Sequence, residues 1–291
     1  MVAAVGVMAQ EHGEGWSIFN GDSAEVLNGL PDSSMDLAVF SPPFQALYVY
    51  SATERDLGNC STPEEFFEHM GYITRQLARV MKPGRNVCVH VAQITAQKVL
   101  DGVIGLKDFR GAIIEHFQQN AFVYHGEVCI DKDPQAQAIR THAKGLLFVQ
   151  KRRDASWLRP ALADYILVFR APGENAVPVV SDVSDEEWIQ WARPVWYGIR
   201  ETDTLQAPPK KNDERHVAPL QLGVIERCVR LWSNAGETVL SPFAGIGSEG
   251  YEAVRLGRRF VGVELKPEYF EVAARNLRQA EEIADGQGQL L

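Results

Sequence analysis

The chain has 291 residues, of which 45% are hydrophobic and 23% charged, and its formal net charge is −9. This length and composition fit a globular protein with one large domain or a domain with an insertion. No apolar run reaches the roughly 18–20 residues of a membrane-spanning helix, and the negative charge argues against a protein that coats nucleic acid without specificity.

The amino-terminal segment and the cysteines bear on location and cofactors. Residues 1–15 lack a basic region and a long apolar stretch, so a signal peptide is not predicted and a cytoplasmic protein is expected. The same residues show no periodicity, which predicts a flexible tail. The four cysteines are far apart and form no Cys-x-x-Cys pair, so neither a metal site nor a disulfide framework is expected.

Strands and helices alternate along the first half of the chain. Short apolar, β-prone runs predict strands over 16–20, 36–40, 85–92 and 123–131. The segments between them predict helices over 23–29, 62–81 and 108–119. The order is typical of an α/β fold with a mostly parallel sheet.

The alternation is interrupted once and then resumes. Residues 131–215 are polar and irregular, with a predicted strand over 164–171 and a helix near 184–192. After them, the pattern predicts helices over 219–233, 248–257 and 267–284 and strands over 237–243 and 259–265. The predicted organisation is one α/β domain in two halves, 16–130 and 216–284, around an insertion at 131–215, with a second flexible tail over 285–291.

A short motif, Ser41-Pro42-Pro43-Phe44, directly follows the predicted strand 36–40. Its two prolines remove backbone donors and fix two φ angles, so the strand cannot continue. Taken alone, the motif is equally consistent with a simple strand terminator. It also combines a hydroxyl and an aromatic ring with a rigid, donor-poor backbone.

A glycine-rich turn joins the strand 237–243 to the next helix and contains Phe243, Gly245 and Gly247. Glycines let the backbone approach a ligand closely, and the helix start presents free amides. Glu264 closes the following strand, 19 residues after Gly245. An acidic residue near this spacing accepts ribose hydroxyls in such βαβ units, so the pattern predicts a nucleoside cofactor.

Together these motifs resemble those of the DNA amino-methyltransferases, which use S-adenosylmethionine and act on adenine N6 or cytosine N4. The catalytic motif comes first and the glycine turn last, which resembles the permuted β class, whose target-recognition region lies between them as 131–215 does here. The resemblance covers 16–130 and 213–280. It implies a Rossmann-like methyltransferase fold with a seven-stranded, mostly parallel sheet and helices on both faces.

The resemblance also implies a role for individual residues. The implied catalytic loop is Ser41, Pro42, Pro43 and Phe44. The residues implied to bind the cofactor are Asp22, Ser41, His216, Phe243, Gly245, Gly247, Ser248 and Glu264. Two positions depart from the family pattern, because Val217 replaces a usual proline and Ser241 stands where aspartate is commonest. Serine at position 41 is commoner in the cytosine-N4 enzymes, but both target bases stay open.

Amino-group chemistry explains why a donor-poor motif suits catalysis. A base amino nitrogen is a weak nucleophile because its lone pair is delocalised into the ring. Ser41 Oγ and the Pro42 carbonyl can accept the two amino hydrogens, and Phe44 can stack on a base swung out of the duplex. Two alternatives stay open: a nicotinamide oxidoreductase, whose motif Gly245, Gly247 and Gly250 also match, and a catalytically inactive DNA-binding protein.

Double-stranded DNA is the expected macromolecular partner. The residues predicted to contact it are Tyr48, Arg55, Lys144, Lys151, Arg152, Arg153 and Arg159. The basic residues among them are equally consistent with a solvated surface. His90 and His125 lie within strand patterns and are predicted to be core histidines.

A homodimer is also predicted, because 131–215 is too small to form a large recognition domain and single small modules bury little DNA surface. The helices predicted over 62–81 and 108–119 carry apolar residues that could pair two copies. These residues are Phe66, Phe67, Tyr72, Phe109, Ile113 and Phe117. The same residues could instead pack on the sheet.

Overall fold

The computed structural model describes residues 6–43, 57–60, 62–96, 98–141, 143–206 and 219–288. Within these ranges the chain forms eleven strands: β1 (Val7–His12), β2 (Trp16–Gly21), β3 (Leu37–Phe40), β4 (Asn86–Ala92), β5 (Ile94–Ala96), β6 (Gly105–Lys107), β7 (Val123–Ile130), β8 (Asp164–Arg170), β9 (Val195–Trp196), β10 (Thr238–Ser241) and β11 (Arg259–Glu264). The same ranges contain ten α-helices: α1 (Ser23–Asn28), α2 (Pro63–Val80), α3 (Lys98–Asp101), α4 (Phe109–Gln119), α5 (Pro134–Thr141), α6 (Phe148–Arg153), α7 (Asp185–Trp191), α8 (Leu222–Trp232), α9 (Ser248–Arg255) and α10 (Pro267–Gly288). No helix in this part of the chain is long and apolar enough to cross a membrane.

Nine of the described strands form one sheet in the order β1-β2-β11-β10-β3-β4-β8-β7-β9. The strands β2, β11, β10, β3 and β4 run parallel to one another, whereas β8 lies antiparallel between β4 and β7. The other two described strands, β5 and β6, form a separate antiparallel pair. The predicted α/β fold with a mostly parallel sheet is confirmed. The sheet has more than the seven predicted strands because β1 and β9 extend its two edges.

Helices cover both faces of the sheet, as predicted. The helices α1, α2 and α4 bury their apolar side chains on one face, and α8, α9 and α10 bury theirs on the other. Alternate residues of β3 divide between these faces: Ala38 and Phe40 join the first core, and Leu37 and Val39 join the second. Because both faces are covered, the central strands are apolar throughout, which is why the sequence marks them so clearly.

Several regions predicted to be irregular form regular elements. The strand β1 lies in the predicted amino-terminal tail. Its side chains are mostly exposed and backbone pairing with β2 holds it, so its sequence carries no burial pattern. At the other end, α10 continues to Gly288, beyond the predicted limit at 284. The insertion contains the short helices α5 and α6, while its predicted strand β8 belongs to the main sheet.

The apolar residues predicted to pair two copies of the chain lie largely in its own core. Phe66, Phe109, Ile113 and Phe117 are buried, and Phe67 packs against them. Tyr72 is 49% exposed and is the one member of the set with substantial contact with solvent. The two helices therefore use these side chains to cover the sheet, and a subunit interface would need other residues.

Candidate active site

The carboxyl ends of the parallel strands meet at one edge of the sheet, and the predicted motifs lie there. Asp22 follows β2, Ser41 follows β3, Phe243 lies just after β10 and Glu264 ends β11. The strands β3 and β10 are direct neighbours in the sheet, so the Ser-Pro-Pro motif and the glycine turn lie side by side. This edge is where open α/β sheets bind their ligands.

The glycine turn is closed onto Glu264. The backbone N–H of Gly245 donates to Glu264 Oε2 at 2.8 Å, and the N–H of Lys266 donates to Glu264 Oε1 at 2.8 Å. Gly245 and Gly247 have φ values of +53° and +84°, which favour glycine. The carboxylate is therefore oriented by the backbone of both the turn and its own strand end.

The two glycines of the turn have different surroundings. A Cβ placed on Gly247 would lie 3.0 Å from the Cβ of Ala273, so this glycine allows close packing of α9 against α10. A Cβ placed on Gly245 would meet no atom of the described chain within 4 Å. Gly245 therefore faces open space at the sheet edge, whereas Gly247 is a packing residue.

Two hydroxyls beside this turn are buried and unsatisfied. Ser241 ends β10 and Ser248 begins α9, and within the described residues neither Oγ has a hydrogen-bond partner. A buried hydroxyl without a partner costs free energy, so native proteins rarely keep one without a reason. The pair indicates a binding site for a polar group next to the glycine turn.

The segment after β2 connects the first half of the chain to the second. The side chain of Asp22 caps α1 by accepting from the N–H of Ala24 at 2.9 Å. Ser23 Oγ donates to the carbonyl of Pro242. Asn20 Nδ2 donates to the carbonyl of Glu264 at 2.8 Å and to that of Leu265 at 3.0 Å. Asn20 was not predicted as a site residue, because its role depends on a contact with a distant part of the sequence.

The Ser-Pro-Pro-Phe motif is described as far as Pro43. Ser41 Oγ lies 3.1 Å from His90 Nδ1, Pro42 is buried and Pro43 is partly exposed. His90 is buried, as predicted, but its ring contacts Ser41 rather than only core side chains. His125 is exposed on β7, so the prediction of a core histidine there is wrong. The ring of Phe243 packs against that of Phe40 at 5.7 Å. Phe44, Tyr48, Arg55 and His216 lie outside the described residues.

A basic surface lies in the predicted insertion. Lys144, Lys151, Arg152 and Arg153 are exposed, and Arg159 is partly exposed. Two aromatic side chains stand among them, with Phe148 76% and Trp157 58% exposed. Among the described residues, no acidic side chain forms an ion pair with the three consecutive basic residues at the end of α6, so their charges are available to a partner.

Glu249 was not predicted as a site residue, although it lies in the first turn of α9. Its side chain is buried, and burial raises its pKa to about 8, with the negative charge of Glu264 acting in the same direction. The carboxyl group is therefore protonated at neutral pH. The sequence shows only a glutamate at a helix start, where a charged, exposed side chain is the usual expectation.

Comparison with known families identifies one match that covers most of the chain. The family N6_N4_Mtase, described as DNA methylase, matches residues 35–275. The Type II methyltransferase M.BglI of Bacillus subtilis is 22% identical over 313 residues, covering 90% of this chain and 85% of the relative. M2.DpnII of Streptococcus pneumoniae, also a Type II methyltransferase, is 37% identical over 81 residues, which cover 28% of this chain and 30% of the relative.

Two solved structures share the fold over almost the full length. TTHA0409 from Thermus thermophilus, complexed with S-adenosyl-L-methionine, has a TM-score of 0.68 and 24% identity, covering 90% of this chain and 92% of its own. The PvuII DNA methyltransferase (cytosine-N4-specific) has a TM-score of 0.61 and 19% identity, covering 94% of this chain and 92% of its own. At these identities the similarity establishes the fold.

Replacing Glu249 by glutamine is expected to change how stability depends on pH. Between pH 4.5, the ordinary pKa of the group, and about 8, the folded protein keeps a proton that the unfolded chain releases. Stability therefore falls as pH rises through this window. Glu249→Gln has no such proton to lose and lacks this loss of stability. The unfolding free energy of the variant minus that of the wild type should therefore be about 2–4 kcal/mol larger at pH 8 than at pH 5.

Urea unfolding at the two pH values measures this difference. Glu271→Gln, on the exposed side of α10, is the matched control and should leave the pH dependence of the wild type unchanged. If Glu249→Gln and the wild type lost stability equally between pH 5 and pH 8, the neutral buried state of Glu249 would be wrong.

Proposed function

The chain belongs to the N6_N4_Mtase family of DNA methylases, and we propose that it transfers a methyl group from S-adenosylmethionine to the amino group of a DNA base. The proposed target is adenine N6 or cytosine N4 of a base swung out of duplex DNA. The observation that carries the proposal is the position of Ser41 beside the Gly245–Glu264 turn on neighbouring strands. The family excludes the alternative of a nicotinamide oxidoreductase.

The residues at this edge fit S-adenosylmethionine. Glu264 is oriented by Gly245 and Lys266 and would accept the ribose hydroxyls. The unsatisfied hydroxyls of Ser241 and Ser248 would bind the amino-acid end of the cofactor, beside the open face of Gly245. When bound, the cofactor supplies a methyl group on a positively charged sulfur.

Ser41 and Pro42 would act on the nucleophile. Ser41 Oγ and the Pro42 carbonyl accept the two amino hydrogens, which favours a tetrahedral nitrogen whose lone pair points at the methyl group. Neither proline has an N–H to compete for these acceptors. The bound cofactor would supply its methyl group to this lone pair, and the amino proton that is then lost would pass to solvent.

The product of the reaction tests this function. Purified protein is incubated with labelled S-adenosylmethionine and long amplified duplex DNA, and the DNA is then digested to nucleosides. We expect the label in N6-methyldeoxyadenosine or in N4-methyldeoxycytidine. The identity of the labelled nucleoside determines the target base. Ser41→Ala should leave cofactor binding nearly intact, because Ser41 makes at most a minor contact with the cofactor, and should slow methyl transfer roughly 100-fold or more. If the wild-type protein left the DNA unlabelled, the proposed methyl transfer would be wrong, and a catalytically inactive DNA-binding protein would be favoured.

We also infer that this chain is of the permuted β class and forms a homodimer. The class is supported by the order of the motifs, since Ser41 precedes the insertion and Gly245 follows it. Among the described residues, exposed apolar side chains cluster around the β5–β6 pair, at Val99, Val103, Ile104 and Leu106. These offer a pairing surface in place of the buried faces of α2 and α4. Light scattering on the purified protein, which has a monomer mass of 32.4 kDa, tests the dimer.

Cofactor affinity should depend on Glu264. Glu264→Ala is expected to weaken S-adenosylmethionine binding by about 1.5–3 kcal/mol, because a charged hydrogen-bond acceptor is removed. Calorimetric titration measures this change, and DNA affinity should be nearly unaltered. Glu268→Ala is the control, since that glutamate lies nearby in α10 and is exposed. Equal affinities in the two variants would contradict the assignment of Glu264.

DNA affinity should depend on the basic end of α6. Replacing Lys151, Arg152 and Arg153 together by glutamine should weaken DNA binding and reduce the slope of log K against log salt by up to about 0.9 for each phosphate that the variant no longer neutralises. Titrations at several salt concentrations measure the slope. A triple glutamine variant at the exposed Arg259, Arg275 and Arg278 makes the same change in charge elsewhere. If both variants weakened binding equally, the effect would be one of net charge and not of a DNA-contacting surface.

A further inference from the structure

Four polar side chains form a continuous line that starts at Ser41. Ser41 Oγ lies 3.1 Å from His90 Nδ1. His90 Nε2 lies 3.3 Å from Asp164 Oδ2, and the same oxygen lies 2.7 Å from Lys132 Nζ. Only Ser41 belongs to a motif recognised in the sequence. The other three come from β4, from the start of β8 and from the segment after β7.

The register of the sheet explains how the line forms. Phe40 pairs with Val89 in parallel strands, so the next residues, Ser41 and His90, are neighbours on one face. Asp164 pairs with Ala92, two residues beyond His90, and is therefore a diagonal neighbour on the same face. Lys132 lies two residues after Ile130, the partner of Asp164 on β7. The line crosses four neighbouring strands, β3, β4, β8 and β7.

Behind His90 lies an ion pair between a buried lysine and a partly buried aspartate. The side chain of Lys132 is 4% exposed and that of Asp164 is 18% exposed. Burial raises the pKa of Asp164, but its contacts with His90 and Lys132 lower it more, and the net result is a pKa of about 2. Asp164 is therefore a carboxylate throughout the neutral range, and Lys132 balances its charge.

The Asp164 carboxylate determines which tautomer of His90 contacts Ser41. His90 Nε2 is buried and forms no aligned hydrogen bond within the described residues, and the Asp164 carboxylate is the acceptor that it faces. A proton on Nε2 is attracted to this carboxylate, whereas a bare nitrogen there would face the lone pairs of the oxygen. The proton therefore lies on Nε2, and Nδ1 is left as an acceptor towards Ser41.

We propose that His90 is a positioning residue for Ser41: its Nδ1 accepts the Ser41 hydroxyl proton and so turns the oxygen lone pairs towards the amino group of the target base. The backbone carbonyl of His90 is a second, longer acceptor, 3.4 Å from Ser41 Oγ. Without the ring acceptor at 3.1 Å, the hydroxyl is held more weakly and can present its own hydrogen to the amino group, which opposes the reaction. Asp164 and Lys132 maintain the tautomer of His90 that accepts. The inference rests on the proposed function, since the amino group is that of the proposed substrate.

Two amide variants distinguish this positioning role of His90 from a purely structural role. In His90→Asn, the amide oxygen is bonded to Cγ, where histidine has Nδ1, so it can still accept from Ser41 but does not reach Asp164. In His90→Gln, the amide lies further along the side chain, in the position of Nε2, so it can contact Asp164 but not Ser41. His90→Phe keeps the ring volume and removes both contacts.

The experiment measures kcat and KM for methyl transfer to long amplified duplex DNA, with cofactor affinity and thermal unfolding measured in parallel. We expect His90→Asn to keep kcat within about threefold of wild type, and His90→Gln and His90→Phe to lose roughly 10- to 100-fold, the effect of one misdirected hydrogen bond. The KM for DNA and the affinity for S-adenosylmethionine should not change.

Several outcomes would overturn the inference. Wild-type kcat in His90→Gln, or equal losses in the Asn and Gln variants, would assign His90 a structural role or none. If His90→Phe does not fold, the comparison of the Asn and Gln variants decides alone. A wild-type protein that methylates no DNA would instead overturn the proposed function, which keeps the two failures distinguishable.

Discussion

The parallel alignment of β2, β11, β10, β3 and β4 is the constraint on which the rest of the site depends. In parallel strands every carboxyl end lies at the same edge, so residues far apart in sequence meet there without any long-range motif. Ser41 and Gly245 are about two hundred residues apart, yet they follow neighbouring strands. Asn20 then fixes the end of β2 to the end of β11 through the carbonyls of Glu264 and Leu265. The site is therefore a property of the sheet edge more than of any single loop.

The buried polar groups around the glycine turn show what this arrangement costs the free protein. Within the described part of the chain, the hydroxyls of Ser241 and Ser248 have no hydrogen-bond partner, and Glu249 keeps a neutral carboxyl group in a position where an exposed carboxylate would be ordinary. Each of these groups lowers the stability of the free chain. A ligand that satisfies them binds to groups that have already lost their water. The free energy that these groups cost the fold is recovered when such a ligand binds.

The sequence predicts what local patterns encode. The central strands and covering helices were predicted because each carries a repeating apolar pattern, and Ser41, Gly245 and Glu264 because each belongs to a short motif. His90, Asp164 and Lys132 could not be found in this way, because their arrangement depends on strand register and on an antiparallel strand within a mostly parallel sheet. The strand β1 was missed for a related reason, since backbone pairing with β2 and not side-chain burial defines it.

The antiparallel direction of β8 has a consequence for the segment that precedes it. Ile130 ends β7 and Asp164 begins β8, and these two residues are paired across adjacent strands. The chain from 131 to 163 therefore leaves the sheet and returns to it at almost the same point. The entropy of closing a loop between fixed ends grows only slowly with its length. Evolution can thus lengthen, shorten or exchange the part of this excursion that follows Lys132, while the register of the sheet and the ion pair between Lys132 and Asp164 stay intact.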